Sequence, residues 1–174
     1  MFKPFRELLN ISGVGYVEPD YPVQAVDTIP NDPSFPSQYG LTAIRAPQGW
    51  ALSTGSPALM IAVLDSGVDL GHLELAGKLV QGYDFVNNDN FPQDDYGSGT
   101  HVAGIAAAWG NNGLGVAGFL GAPAFCHSKC LIQQAAALVW ATDDGAQIAN
   151  MSLGGSAYSQ IMQDAVSYAA ANGV

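Results

Sequence analysis

The chain has 174 residues, of which 48% are hydrophobic and only 11% charged; the length suits one domain with one sizeable core, and the charge is low against the roughly 25% of ordinary soluble domains. Five Lys plus Arg against fifteen Asp plus Glu give a formal charge of −10, which excludes the basic stripe that phosphate contacts need and argues against a nucleic-acid partner. No stretch reaches the roughly 20 apolar residues of a membrane span, so no membrane partner is expected, and the start at Met1 to Asn10 shows no signal-peptide h-region.

In chain order, Phe5 to Leu9 reads as a helix end, Val14 to Val17 as a short strand and Ile29 to Gln38 as a Pro-rich surface connection. From Ala43 helix and strand alternate. Ala46 to Leu52 is a short helix, and Leu59 to Leu64 is the continuous apolar run of a strand buried on both faces. Strand Leu79 to Phe85, helix Thr100 to Trp109, helix Gln133 to Thr142, strand Ile148 to Leu153 and helix Tyr158 to Ala171 follow. The alternation predicts an α/β domain with a mostly parallel sheet. One stretch, Phe119 to Gln134, is amphipathic in neither period. Within it Cys126 and Cys130 flank His127, too few ligands for a metal site and no disulfide framework.

The chemistry is concentrated in Ile61-Ala62-Val63-Leu64-Asp65-Ser66-Gly67-Val68-Asp69. An Asp at the C-terminal end of a buried parallel strand lies where α/β proteins place their reactions. Taken alone, Asp65 could equally cap the turn that follows. Two further segments bear on it: Gly97-Ser98-Gly99-Thr100-His101-Val102-Ala103-Gly104-Ile105 and Asn150-Met151-Ser152-Leu153-Gly154-Gly155. In order and spacing the three resemble the subtilases, the subtilisin-like serine proteases (peptidase S8), and in particular their thermitase-like branch. The resemblance runs from about Asn31 to Gly118 and again from about Val139 to Val174.

That resemblance implies a three-layer subtilisin-like fold, a polypeptide substrate, an extracellular setting and an Asp-His-Ser triad in which the Asp orients the His and the His activates the Ser. Asp65 takes the place of the triad Asp. Ser98, however, stands where the family has its catalytic His, and His101 matches a second, structural His. A histidine one helical turn further on starts about 5–6 Å away, too far to hold bonds of about 3 Å to both partners. The family's Gly-Thr-Ser-Met-Ala nucleophile segment would lie beyond Val174. The expectation is a catalytically dead fragment of a serine endopeptidase; the alternative is a non-catalytic calcium- or peptide-binding pseudoprotease.

Further site residues follow from the resemblance alone. Ser152, Leu153 and Gly154 correspond to the strand that pairs with substrate main chain. One calcium site would use Asp32, Glu74 and Asn112 with carbonyls of the Trp109 to Val116 loop; another would use Asp84, Asp89 and Gln93, with Asn87 in place of an acidic ligand. Residues 1–27 resemble the tail of an inhibitory I9-type propeptide through Val17-Glu18-Pro19-Asp20-Tyr21, with a junction near Asp27–Thr28; residues 28–174 then form the N-terminal part of the catalytic domain.

The stretch 119–134 departs from the family, which has a buried strand there. Codons permitted for these residues, read two bases later, can spell SWGARLLPLKVLNPAG, which looks like the missing strand. A reading-frame slip is therefore the hypothesis, and codons incompatible with that second reading would end it. The expected consequence is unmade ladder bonds between the strands at Leu79–Phe85 and Leu59–Leu64, with a poorly folded, aggregation-prone chain.

Overall fold

A computed structural model describes residues 11–17, 27–121, 124–130 and 133–174, with residues 124–128 described by backbone alone. The expected helix end at Phe5–Leu9 and the propeptide-like Glu18–Tyr21 lie outside the described residues. Among the described residues no helix is long and apolar enough to cross a membrane.

Helices α1 (Tyr39–Ala43) and α2 (Ala46–Trp50) precede strand β1 (Met60–Asp65). Strand β2 (Tyr83–Asp84), helix α3 (Ser98–Ala107) and strand β3 (Ala124–Lys129) follow. Helix α4 (Gln134–Asp143), strand β4 (Ile148–Asn150) and helix α5 (Gln160–Ala171) complete the order. The four strands form one parallel sheet in the order β2-β3-β1-β4.

The apolar run of β1 serves both faces because successive side chains alternate across a strand. Ala62 and Leu64 pack with Ala137, Leu138 and Ala141 of α4 and Ala165 and Ala169 of α5. Ile61 and Val63 pack on the other face with Ala103 and Ala107 of α3, beside Val68 and Leu75. Helix, sheet and helix therefore make three layers, as the resemblance implies. Burying a side chain such as Leu64 contributes about 1.5–3 kcal/mol. The alanines and glycine of α3 let it lie close to the sheet, and that closeness positions the site.

Five expectations are corrected. Val14–Val17 forms no strand. The strand expected over Leu79–Phe85 pairs only at Tyr83–Asp84, and that over Ile148–Leu153 only at Ile148–Asn150. The Pro-rich connection contains a 3₁₀ turn at Phe35–Ser37, whose Phe35 packs with Leu41, Ala46 and Ala117. Most important, the internal strand expected to be disrupted is present: β3 pairs with β1 from Met60↔Ala124 to Asp65↔Lys129 and with β2 at Tyr83↔Ser128 and Asp84↔Lys129. Ladder bonds are made by backbone groups, so a segment without a helical or strand-like side-chain pattern can still fill the slot between two strands.

Candidate active site

Asp65 ends β1, only 1% exposed. Its Oδ1 accepts the Ser66 N–H at 2.8 Å, while its Oδ2 has no partner among the described residues. The chain then turns through Gly67 at φ 105°. A Cβ there would meet the Pro92 carbonyl oxygen at 2.6 Å, so the turn requires glycine. Gly99, in the first turn of α3, is equally constrained: its Cβ would lie 2.0 Å from the Gly67 carbonyl oxygen and 3.2 Å from Asp65 Cβ. The start of α3 is thus seated directly on the turn after Asp65.

Asp94 fastens this junction. Its Oδ1 accepts the Ser66 hydroxyl at 2.7 Å and the N–H groups of Tyr96 and Gly97. Its Oδ2 accepts the N–H and the hydroxyl of Thr100, and Ser66 Oγ in turn accepts the Gly99 N–H at 3.0 Å. Burial alone would raise the Asp94 pKa; the Thr100 hydroxyl, the Gly97 and Thr100 N–H groups and the Ser66 hydroxyl together hold it well below the usual carboxylate range. Thr100 Oγ1 also accepts the Asp69 N–H at 2.8 Å. None of Ser66, Asp94 and Thr100 was singled out from sequence. The available signal was an acidic residue just ahead of a helix start, where free N–H groups favour an anion.

Ser98 is the first residue of α3 and is half-buried. Its hydroxyl makes no hydrogen bond among the described residues. Beyond β4 the chain runs on without pairing through Ser152, Leu153 and Gly154. Ser152 and Gly154 are exposed, Leu153 packs toward the α4–α5 face, and the Asn150 amide donates to Ser152 Oγ at 2.9 Å. An open groove of 1310 Å³ runs from α1 along α3 to this strand end, lined in part by Tyr39, Thr100, His101, Ile105, Asn150 and Ser152.

The expected calcium ligands behave differently in the two loops. Asp32, 2% exposed, accepts the N–H groups of Asn111 at 2.7 Å and Asn112 at 3.1 Å. Glu74, 6% exposed, accepts the Asn112 side-chain amide at 3.3 Å, so the structure brings Asp32, Glu74 and Asn112 together. Nearby Lys78 is committed elsewhere: its Nζ donates to the carbonyls of Ala107 and Gly121 and lies 4.0 Å over the Trp109 ring. Burial lowers the Lys78 pKa to about 8, with Glu74 acting in the opposite direction.

In the other loop Asp84 and Asp89 are tied through their backbones, Asp84 N–H to Asp89 O at 2.8 Å and Asp89 N–H to Asp84 O at 3.2 Å. Gln93 is turned away, its Oε1 accepting the Leu70 N–H and its Nε2 facing Asp69. The structure therefore does not assemble Asp84, Asp89 and Gln93 into one set.

A family model described as the subtilase family, Peptidase S8, matches residues 56–174. The chain belongs to the subtilase family. Thermitase of Thermoactinomyces vulgaris is 44% identical over 149 residues, covering 80% of this chain and 53% of that protein. A thermophilic serine proteinase of Bacillus sp. strain AK1 is 40% identical over 173 residues, covering 94% of this chain and 43% of its own length. The crystal structure of fervidolysin from Fervidobacterium pennivorans, a keratinolytic enzyme related to subtilisin, superimposes with a TM-score of 0.73 at 31% identity, over 83% of this chain and 24% of that one. This subtilase chain thus spans about half, or less, of the length of these relatives.

Within the subtilase frame Cys130, the residue just after β3, is fully buried. Burial first, and the Asp65 carboxylate second, push its thiol up to about 12, so it stays protonated and is no nucleophile. His101 is exposed and lines the groove, one turn beyond Ser98 on α3.

Proposed function

We propose that this chain is the N-terminal part of a subtilase catalytic domain whose peptide-hydrolysing machinery is disabled at the position of the general base. The observation that carries the proposal is the junction at Asp65. A buried carboxylate oxygen without a donor among the described residues adjoins the first turn of α3, where Ser98 offers a hydroxyl rather than an imidazole. An unactivated hydroxyl does not accept protons near neutral pH, so no group here would take the proton from an attacking serine. The polypeptide substrate class and an extracellular setting come with the family reading. So do the propeptide-like tail over residues 1–27 and the division at residue 28. The proposed junction residues are docked on α2: Gln48 Nε2 donates to Asp27 Oδ2 at 2.8 Å, and the Thr28 N–H to the Pro47 carbonyl at 3.1 Å.

The alternative, a pseudoprotease that still binds peptide, is favoured by two observations. The sheet is continuous through β3, and Ser152 to Gly154 leave an unpaired edge beside the groove, suited to β-strand addition. A labelled extended peptide should then bind without being cut, and Gly154→Pro, which removes an N–H donor, should weaken binding about tenfold. Unchanged binding would count against this reading.

Calcium belongs to the same proposal. Asp32 and Glu74 bring two buried carboxylates together, with Asn112 donating to both through its N–H and its side-chain amide, and carboxylate oxygens suit a hard cation. The ion would offset the two carboxylates and tie the 109–116 loop to the 3₁₀ turn at Leu73–Leu75 and to the segment before Phe35. Calcium should raise the unfolding temperature, and Asp32→Asn should remove that rise.

A further inference from the structure

We propose that Lys129 is the resident cation of the Asp84 loop, and that this loop takes no calcium ion while Lys129 is in place. Lys129 is the last residue of β3 and sits in register between Asp65 of β1 and Asp84 of β2. Both sides of its backbone are stitched into the sheet: the Phe85 N–H donates to the Lys129 carbonyl at 2.8 Å, and the next residue, Cys130, donates its N–H to the Asp65 carbonyl at 3.0 Å. The side chain is buried, with Nζ 2.6 Å from Asp95 Oδ2 and 4.0 Å from Asp84 Oδ2. A lysine ammonium is a compact point charge with three donors, and here it lies among carboxylates that a divalent cation would otherwise seek.

With Lys129 supplying the positive charge, the remaining ligands accept from donors of the loop itself, which a cation could displace only in its absence. Asp84 is fully buried. Its Oδ1 accepts the N–H groups of Val86 and Asn87, and its Oδ2 the Asn87 amide at 2.9 Å. Asp89 Oδ1 accepts the Phe91 N–H, and Gln93 faces Asp69 and Leu70. Calcium takes six to eight oxygens. To bind here it would have to displace these donors and approach a buried ammonium of like sign. The expectation that Asp84, Asp89 and Gln93 hold calcium and the geometry of this loop therefore disagree, and Lys129 is the reason.

Calcium titration calorimetry on the full chain tests this, with circular dichroism confirming that each variant is folded. The exposed Asp89→Asn change should leave the calcium stoichiometry and affinity of the chain as they are. Lys129→Met should gain one equivalent of calcium, and adding Asp89→Asn to it should remove that equivalent. Loss of one equivalent in the Asp89→Asn chain, or a folded Lys129→Met chain that gains none, would overturn the proposal. If Lys129→Met does not fold, the Asp89→Asn chain alone decides. The Asp32 site is read separately through Asp32→Asn, so failure there is distinguishable.

Discussion

Two buried aspartates end adjacent regions of the sheet and flank the same residue, Lys129, yet their surroundings are opposite. Asp84 has both oxygens occupied by donors of its own loop, with an ammonium beside them. Asp65 is 1% exposed and has one oxygen without a donor among the described residues. A buried acceptor left unmet costs about 1–3 kcal/mol, so folds retain such groups mainly where chemistry uses them. Asp84 is a structural aspartate. On the reading proposed above, Asp65 is the functional one, with its partner side chain replaced.

The contrast can be broken by substitution. Asp84→Ala should be the most damaging change, at about 3–5 kcal/mol, because it strands three donors inside the protein and removes one of the two carboxylates beside Lys129, which keeps Asp95; denaturant unfolding measures it. Gly99→Ala should cost about 3 kcal/mol, since a Cβ 2.0 Å from the Gly67 carbonyl forces α3 off the Asp65 turn. If Gly99→Ala were neutral, the seating of α3 on that turn would be wrong.

Asp94→Asn should cost about 2 kcal/mol at neutral pH through weakened hydrogen bonds. Its pH dependence is the sharper readout. The folded carboxyl titrates below its unfolded value, so its contribution is complete above about pH 4 and is lost as pH falls further. The Asn variant should lose that part of the acid limb. Asp65→Asn should have the smallest effect, within about 1 kcal/mol, and stabilising in sign because an unpaired buried charge is removed. Strong destabilisation by Asp65→Asn would erase the distinction between the two aspartates.

What was legible in the sequence was local. The apolar run into Asp65 and the glycines of Gly97 to Gly104 specify a buried strand, a tight turn and a close-packed helix through short-range chemistry, and the structure contains all three. Asp32, Glu74 and Asn112 were reachable only through the family resemblance, because they meet across the fold. Lys129 was hidden for a physical reason: its role depends on the register of β3 against two strands distant in sequence, within a stretch lacking side-chain periodicity. The position of Gln93 in the loop does not reveal which way its amide points, and in the structure it faces Leu70 and Asp69.

The central claim is that Asp65 stands in a catalytic position with nothing to orient. Hydrolysis of a fluorogenic peptide by the purified full chain, with and without a serine-directed covalent inhibitor, tests it most directly. The expected result is no turnover above buffer and no labelling by the inhibitor. Turnover that the inhibitor abolishes would contradict it.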